Sequence, residues 1–348
     1  MITVLLIAVG FLLLGHLMGA SWFARGALLG VLFGAVFVIQ TTLPDGHALR
    51  QATGGSLQSW ALVAGAGVLV GIYVLVLRWL KARVPEPAAP AANDAPFSAS
   101  ELQRYARHIV LREIGGPGQQ KLKAARVLVM GAGGLGSPVL LYLAAAGVGT
   151  IGVVDDDEVS LSNLQRQVLH DEASLGRPKV ASAEARLKAI NPHVRVQPYE
   201  MRLDAENAAA VFADFDLILD GTDNFATRHL VNATAVTLNK PLIAGAISQW
   251  EGQVSLYHPG AGGPCYACVF PEIPAAGLAP TCAEIGVMGA LPGVVGSMMA
   301  VEAIKWITGA GTSLMGEVLV YDALYGESRK IRAERRADCA VCGANPAA

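Results

Sequence analysis

Arg126-Val-Leu-Val-Met130, followed directly by Gly131-Ala-Gly-Gly-Leu-Gly136, is the stretch that decides the fold of this chain. Its first five residues form an apolar run of strand type, and a helical stretch from Pro138 to Ala146 follows the glycines. The order of strand, G-x-G-x-x-G and helix binds phosphate on backbone N–H groups at the start of the helix. We therefore predict a Rossmann-like α/β domain. The glycines predicted to contact a nucleotide are Gly131, Gly133, Gly134 and Gly136.

A second apolar strand, Thr150 to Val154, ends in the acidic run Asp155-Asp-Asp157. Asp155 lies about 20 residues beyond the glycine loop, where a carboxylate accepts hydrogen bonds from ribose hydroxyls. A G-x-G-x-x-G motif by itself most often indicates NAD or FAD, so an NAD-dependent oxidoreductase is one interpretation of these two strands.

Two cations after the acidic strand end favour a triphosphate over a nicotinamide ring. Arg166 lies in Leu161-Ser-Asn-Leu-Gln-Arg-Gln167, and Lys179 closes Gly176-Arg-Pro-Lys179. Nucleotidyl transfer is catalysed mainly by positioning and by neutralising charge on the phosphate oxygens. Judged by spacing alone, a pair of solvated surface cations on a helix fits these residues equally well.

A third apolar strand, Asp216 to Asp220, runs into Gly221-Thr-Asp-Asn224. Ligands in doubly wound sheets bind at the carboxyl ends of the strands, and Mg²⁺ prefers carboxylate and phosphate oxygens. Asp223 is therefore a predicted magnesium ligand. Its alternative role is the N-cap of a helix that begins near Phe225.

Four of the five cysteines form two C-x-x-C pairs, Cys265/Cys268 and Cys339/Cys342. Four thiolates with no other donor make a closed tetrahedral zinc site, which is structural. Two redox dithiols are the alternative, but neither pair has a thioredoxin-like context. We predict a single zinc site that ties the end of the domain to a distant loop.

The first eighty residues hold three apolar stretches, 2–20, 26–42 and 60–80. Each is close to the ~20 residues that cross the hydrocarbon core, so we predict about three transmembrane helices. A cleavable signal peptide is the alternative for the first stretch, which lacks the positively charged start of such peptides. Residues 81–98 are rich in Ala and Pro and predict a linker, followed by a catalytic domain over 99–343 and a tail over 344–348.

Basic residues predict the orientation of these helices. Arg25 is predicted to lie in the loop between the first two spans, and Arg78, Lys81 and Arg83 follow at the end of the third. Placing both groups inside puts the N-terminus outside and the catalytic domain on the cytoplasmic side of a bacterial inner membrane. The formal net charge of −2 gives no reason to expect a nucleic-acid partner.

The motifs, taken in order, resemble those of the MoeB/ThiF/HesA adenylyltransferases, which are bacterial relatives of ubiquitin-activating E1 enzymes. The resemblance covers roughly residues 97–343 and implies an E1/ThiF-type fold with a mostly parallel central sheet and the Cys₄ zinc site. Beyond the segments already quoted, the matching motifs are Arg104-Tyr-Ala-Arg-His108, Glu251-Gly-Gln-Val254 and Thr281-Cys-Ala-Glu284.

The resemblance implies a reaction with ATP and Mg²⁺. A ubiquitin-like sulfur-carrier protein ending in Gly-Gly would attack the α-phosphate of ATP through its C-terminal carboxylate, giving an acyl-adenylate and pyrophosphate. The pattern from SNLQRQ to CAVC is most similar to the MoeB branch, which implies that the substrate is the small subunit of molybdopterin synthase, in molybdenum cofactor biosynthesis. The thiamine sulfur carrier of ThiF is the alternative within the family. A membrane-tethered binding module without catalysis is the alternative from another class.

The resemblance also implies roles for individual residues. Asp155 would hold the ribose, while Asn163, Arg166 and Lys179 would contact the phosphates. The implied nucleotide site further includes Ser162, Leu164, Gln165, Asp223 and Asn224.

Two further residues receive implied roles outside that nucleotide site. Arg107 matches an arginine that reaches the ATP of the opposite subunit in a homodimer; its alternative is a surface cation before an apolar helix from Ile109 to Ile114. Cys282 matches a cysteine that some members use to form a thioester or acyl-disulfide, and inert packing is the alternative.

Overall fold

The computed structural model describes residues 1–54, 56–83, 96–273 and 286–343, and the chain divides into two units, Met1–Asp94 and Ala95–Ala348. Most of the predicted linker and the whole predicted tail lie outside the described residues. The domain limits deduced from composition therefore stay predictions.

The N-terminal unit is helical. Its helices are α1 (Ile2–Leu17), α2 (Trp22–Thr42), α3 (Ala48–Thr53) and α4 (Leu57–Arg83). Two segments, Ala24–Thr42 and Leu57–Leu80, are long and apolar enough to cross a membrane by length and composition. Helix α1 has 16 residues and is shorter than this, so a third span stays a prediction.

The position predicted for Arg25 between two helices is wrong. Helix α2 begins at Trp22 because the hydroxyl of Ser21 caps its N-terminus, accepting a hydrogen bond from the Ala24 N–H at 3.2 Å. Arg25 therefore lies within the first turn of α2, and its Nε donates to the carbonyl of Ala20 at 2.9 Å.

The second unit is an α/β domain built on an eight-stranded sheet. The strands are β1 (Arg126–Met130), β2 (Thr150–Val154), β3 (Arg195–Tyr199), β4 (Leu217–Asp220), β5 (Leu242–Ile247), β6 (Glu251–Tyr257), β7 (Glu317–Asp322) and β8 (Glu327–Arg332). The helices are α5 (Ala99–Ile109), α6 (Gly115–Ala124), α7 (Gly136–Ala146), α8 (Lys179–Ile190), α9 (Ala208–Ala213), α10 (Phe225–Thr237), α11 (Tyr266–Val269) and α12 (Leu291–Thr308).

The sheet has the strand order β3-β2-β1-β4-β5-β6-β7-β8. The strands β3, β2, β1, β4 and β5 pair in parallel, and β6, β7 and β8 are added through three successive antiparallel pairings. The predicted Rossmann-like, mostly parallel sheet is thus confirmed. Strand β1 lies between β2 and β4, where the strand order reverses, and such a position opens a crevice for ligands.

Strand β1 is a continuous apolar run because both faces of the sheet are covered. Val127 and Val129 pack in one core with residues of α7, α8 and α12. Leu128 and Met130 pack in a second core with residues of α9 and α10. All four side chains are at most 2% exposed, so β1 is held firmly in the sheet and fixes where the glycine loop begins.

The predicted helix from Ile109 to Ile114 is wrong. Helix α5 ends at Ile109, and the next residues form turns in which the N–H groups of Ile114 and Gly115 both donate to the carbonyl of Leu111. Helix α5 begins with a capping box in which Ser98 and Glu101 exchange hydrogen bonds. The apolar residues that suggested a helix thus form the turns that follow the end of α5.

Candidate active site

Three neighbouring strands of the parallel half end at one edge of the sheet. Met130 is in register with both Val154 and Asp220, so the residues after β1, β2 and β4 leave the sheet side by side. The Gly131 N–H donates to the Val154 carbonyl at 2.8 Å, and the Gly221 N–H donates to the Met130 carbonyl at 3.0 Å. The glycine loop, the acidic strand end and the predicted magnesium segment are therefore brought together.

The glycine loop is close-packed, and Gly131, Gly133 and Gly134 remain partly exposed. Gly131 has φ +89°, a conformation that L residues with a side chain rarely adopt. A methyl group on Gly136 would overlap the Gly131 carbonyl, and one on Gly134 would lie 3.1 Å from Pro292 of α12. The nearest atom to a methyl on Gly133 would be Nε2 of Gln167, at 3.6 Å. This backbone is open to a phosphate at the start of α7.

Replacing Gly136 by alanine is expected to weaken ATP binding by at least about ten-fold, because the added methyl group displaces the Gly131 carbonyl and with it the loop. Titration calorimetry with ATP measures the change. Gly116→Ala is the matched control, since a methyl group there meets nothing within 4 Å. Equal ATP affinity in Gly136→Ala and wild type would remove the loop from the binding site.

The carboxylate of Asp155 is held by the glycine loop. Its Oδ2 accepts a hydrogen bond from the Ala132 N–H at 2.7 Å, and its Oδ1 accepts one from the Asp157 N–H at 2.9 Å. Burial raises the pKa of Asp155 above its ordinary value, and the charge of Lys179 opposes that rise. The geometry suits an acceptor for ribose hydroxyls, and this role stays a prediction.

Lys179 is a buried cation at the first position of α8. Its side chain is 4% exposed, and Nζ lies 2.6 Å from Oδ2 of Asp157 and 3.8 Å from Oδ1 of Asp155. The alternative of a solvated surface cation is therefore wrong for Lys179. Its ammonium group is placed at the strand edge where a phosphate would approach the glycine loop.

Arg166 lies in a loop, after a 3₁₀ turn from Leu161 to Asn163, and not on a helix. Its Nη2 donates to Oδ1 of Asn163 at 2.8 Å, and its Nη1 donates to the Ser162 carbonyl at 3.3 Å. The segment packs against Gly289, which lies just before α12, because a methyl group on Gly289 would overlap Gln165. Leu164 is half-buried beside these residues, while Ser162 and Gln165 are exposed.

Asn224, not Asp223, caps helix α10. Its Oδ1 accepts a hydrogen bond from the Thr227 N–H at 2.7 Å, so the N-cap alternative for Asp223 is wrong. Asp223 is exposed, and within the described part of the chain its carboxylate has no hydrogen-bond or ion-pair partner. A free carboxylate after β4 fits a magnesium ligand.

The buried guanidinium of Arg228 holds the segment that carries Asp223. Its Nη2 donates to the carbonyls of Thr222 and, at 2.7 Å, Gly245. Asp220 braces the same turn by accepting hydrogen bonds from the N–H and the hydroxyl of Thr222. The turn after β4 is thus fixed from both sides.

Two buried polar residues of this site were missed at the level of sequence. Gln167 is 5% exposed, lies beside Gly133, and its Oε1 has no partner among the described atoms. His170 is 7% exposed; its Nε2 lies 2.9 Å from the Ala132 carbonyl and its Nδ1 lies 2.9 Å from Oγ of Ser182. In the sequence, these two polar residues flank the apolar pair Val168-Leu169, and this pattern alone could have suggested that they are buried. An unpaired buried oxygen beside the loop fits a site that takes a polar ligand such as a nucleotide.

The stability of the catalytic unit is expected to fall below about pH 6.5, in part through His170. Burial lowers the pKa of His170 and outweighs the hydrogen bond to the Ala132 carbonyl, which raises it; the charge of Lys179 lowers the pKa further, while Asp155 and Asp171 raise it. The unfolded chain therefore takes up the proton first as the pH drops, and the stability from the neutral form is lost. The unfolding temperature of wild type should fall more than that of His170→Gln between about pH 7.5 and about pH 5.5. An identical pH dependence of the two proteins would contradict this assignment.

Arg107 and Cys282 are not joined to this edge of the sheet within the described residues. Arg107 is exposed in the last turn of α5, with no hydrogen bond or ion pair there. Cys282 and its loop lie outside the described residues. Both roles stay predictions.

The four paired cysteines form one cluster. The Sγ···Sγ distances are 3.8 Å for Cys265–Cys268, 3.6 Å for Cys265–Cys339 and 3.4 Å for Cys268–Cys342. All four side chains are buried, and all four sulfur atoms lie within 4.8 Å of one another. Zinc bonded to four thiolates at about 2.3 Å gives edges of about 3.8 Å.

The surroundings of the cluster also suit a cation. Burial raises the pKa of the Cys265 thiol, so four thiolates need positive charge between them. The Arg336 N–H points at Sγ of Cys268 at 3.5 Å. One metal centre explains why both pairs meet, whereas separate redox dithiols would not require them to meet. The cluster therefore fits the predicted structural zinc.

Comparison with known proteins places this geometry in a family. The ThiF family profile matches residues 105–341. The chain is 51% identical over 254 residues to the sulfur carrier protein adenylyltransferase of Thermus thermophilus, covering 72% of this chain and 94% of that protein. It is 53% identical over 238 residues to the probable adenylyltransferase/sulfurtransferase MoeZ of Mycobacterium tuberculosis, covering 68% and 61%. It is 47% identical over 261 residues to bovine (Bos taurus) adenylyltransferase and sulfurtransferase MOCS3, covering 75% and 57%.

Solved structures share the fold at lower identity. E. coli MccB, in a crystal structure with ATP, superposes with a TM-score of 0.58 at 24% identity over 65% of this chain and 69% of that one. PaaA superposes with a TM-score of 0.61 at 22% identity over 84% and 88%. The chain spans less than two thirds of MoeZ and MOCS3, and almost all of the Thermus protein. From the profile match and these identities, this chain belongs to the ThiF family.

Proposed function

We propose that this chain uses ATP to adenylate the C-terminal carboxylate of a small ubiquitin-like sulfur-carrier protein ending in Gly-Gly. The observation that carries the proposal is the 51% identity to a sulfur carrier protein adenylyltransferase over 94% of that protein's length. The site geometry supports it, because a buried lysine and an open glycine loop meet at one sheet edge. An NAD-dependent oxidoreductase has no comparable support.

The reaction is a nucleotidyl transfer. A carboxylate oxygen of the carrier attacks the α-phosphorus of ATP, a new C–O–P anhydride bond forms, and the α–β phosphoanhydride bond breaks. Pyrophosphate leaves with the electron pair of that bond. No general base is required, because a C-terminal carboxyl with a pKa of about 3.3–3.7 is already ionised at neutral pH. The enzyme has to supply alignment and charge neutralisation.

The residues at the strand edge divide this work. The N–H groups of the glycine loop after Ala132 bind phosphate oxygens, and Asp155 accepts from the ribose; the N–H groups of Gly131 and Ala132 are already donated to Val154 and Asp155. Lys179 and Arg166 neutralise charge on the transferring phosphate. Lys179 can turn from Asp157 to the phosphate at low cost, because the carboxylate it leaves is 67% exposed and remains hydrated.

Asp223 is proposed as the magnesium ligand, in keeping with its exposed carboxylate and its position after β4. Mg²⁺ bound there would add positive charge at the departing pyrophosphate. Zinc in the Cys₄ cluster is proposed as structural, because no ligand position remains open for a substrate.

We further propose a homodimer that is anchored in a bacterial inner membrane, with its catalytic domain on the cytoplasmic side. The exposed, unpaired side chain of Arg107 within the described chain is consistent with a partner subunit's site. Helices α2 and α4 have the length and composition of membrane spans. A covalent role for Cys282 stays a prediction.

The experiment is ATP–pyrophosphate exchange by the full chain in detergent. The carriers are the small molybdopterin-synthase subunit and the thiamine sulfur carrier, each with and without its last glycine. We expect exchange with the intact molybdopterin-synthase carrier only. Exchange only with the thiamine carrier would keep the chemistry and change the pathway. No exchange with either, from folded protein, would overturn the enzyme proposal and favour a membrane-tethered binding module.

A further inference from the structure

The backbone of Ala132, in the middle of the glycine loop, is held at both of its peptide groups. Its N–H donates to Oδ2 of Asp155 at 2.7 Å, and its carbonyl oxygen lies 2.9 Å from Nε2 of His170. Ala132 itself is fully buried. One carboxylate therefore orients the peptide group before the Ala132 Cα, and one imidazole orients the peptide group after it.

The acceptor chemistry fixes the state of His170. A carbonyl oxygen only accepts hydrogen bonds, so Nε2 of His170 carries the proton and donates it to Ala132. In the neutral ring Nδ1 is then an acceptor, and the hydroxyl of Ser182 donates to it across 2.9 Å. Both contacts are buried, and a lost partner would leave an unsatisfied polar group.

The contact between His170 and Ser182 connects the loop to the helix that carries Lys179. Ser182 lies on α8 three residues after Lys179, and therefore one helical turn from it. Through His170, the loop peptide is joined to the helix whose first residue carries the ammonium group. The same imidazole thus touches two elements that must keep a fixed spacing if one phosphate chain is to contact both.

We infer that His170 is a positioning residue for nucleotide binding, which sets the glycine loop against helix α8 and so fixes the distance between the loop N–H groups and Lys179. This inference rests on the proposed function, since it requires that the loop binds ATP. His170 does not touch the reacting atoms. Its donor and its acceptor carry the effect, and its ring volume alone does not.

The test compares two replacements of His170 that differ in hydrogen bonding. Phenylalanine keeps a planar ring without donor or acceptor, whereas glutamine supplies an amide N–H for Ala132 and an oxygen for Ser182. Ser182→Ala removes only the second contact and is the mildest change. His258→Phe is the matched control, because His258 is a half-buried histidine that is hydrogen-bonded to Asn239, outside this site.

Titration calorimetry with ATP, on the full chain in detergent, measures the dissociation constant, and the unfolding temperature is recorded for each protein. We expect His170→Phe to raise the dissociation constant about ten-fold, Ser182→Ala about three-fold, and His170→Gln to return to within about three-fold of wild type. His258→Phe should leave ATP affinity unchanged.

Wild-type ATP affinity in His170→Phe would overturn the inference while leaving the proposed function intact. Equal weakening in His170→Gln and His170→Phe would also overturn it, since ring volume would then carry the effect. If His170→Phe does not fold, wild-type affinity in Ser182→Ala overturns the inference and a three-fold loss supports it. Absence of ATP binding by wild type would overturn this inference and the proposed function together.

Discussion

Replacing Lys179 by methionine is expected to lower the rate of ATP–pyrophosphate exchange by about a thousand-fold. The side chain of Lys179 is 4% exposed and its ammonium group lies at the sheet edge beside the glycine loop, where water cannot substitute for its charge. Methionine keeps the unbranched side chain apart from its last atom and removes the charge and its donors. Exchange with the Gly-Gly carrier, at saturating ATP, measures the effect.

Lys188→Met is the matched control for this replacement. Lys188 lies on the same helix, but its side chain is 57% exposed and pairs with Glu184 one turn away. Such a surface pair contributes little to stability, so exchange should change by less than about two-fold. A folded Lys179→Met protein that exchanges pyrophosphate at the wild-type rate would remove Lys179 from the transition state.

Replacing Cys342 by serine is expected to remove zinc and to lower the free energy of unfolding of the catalytic unit by about 4 kcal/mol. Cys339 and Cys342 lie at the end of the described chain, and the cluster holds them against Cys265 and Cys268. Tyr266 lies between Cys265 and Cys268, and its N–H donates to Oδ1 of Asn232 on α10 at 2.8 Å. Loss of zinc is therefore expected to weaken the contact between this segment and α10 as well. Metal analysis and denaturant unfolding measure the two effects.

Cys282→Ser is the control for the cluster, because this thiol is not one of the four clustered ligands. It should keep a full complement of zinc and the wild-type unfolding transition. Zinc retained at one equivalent in Cys342→Ser, with unchanged stability, would show that the four thiols do not form a single metal centre.

The parallel half of the sheet could be predicted closely from the sequence, because local signals agree there. Strands β1 and β2 have the predicted bounds, since each is an apolar run that ends at glycine or aspartate. Their side-by-side arrangement follows from the G-x-G-x-x-G unit, whose geometry requires a parallel neighbour. The site residues at these strand ends are therefore close in space as well as in motif.

The residues that sequence missed depend on contacts between distant segments. His170 joins Ala132 to Ser182, and neither contact is visible in the spacing of motifs. Lys179 looks like a surface cation by spacing, and only its position between Asp155 and Asp157 reveals its burial. Antiparallel additions to a sheet likewise depend on tertiary pairing more than on local pattern.

Errors at helix boundaries have a different cause. Hydrophobicity extended a predicted helix over 109–114, while the backbone turns there because Leu111 accepts hydrogen bonds from both Ile114 and Gly115. At Arg25 a single charge suggested a loop, although Ser21 had already capped the helix. In both cases local hydrogen bonding decided the boundary and the apolar pattern did not.

If this chain transfers AMP to the C-terminus of a carrier protein, the mass of that carrier shows the transfer most directly. The full chain in detergent is incubated with ATP, magnesium and an intact Gly-Gly carrier, and the carrier is analysed by intact-mass spectrometry under acidic conditions. We predict a carrier heavier by one adenylyl group, absent when the last glycine is removed and absent with Lys179→Met. A carrier of unchanged mass, while ATP is consumed by the folded protein, would contradict the account.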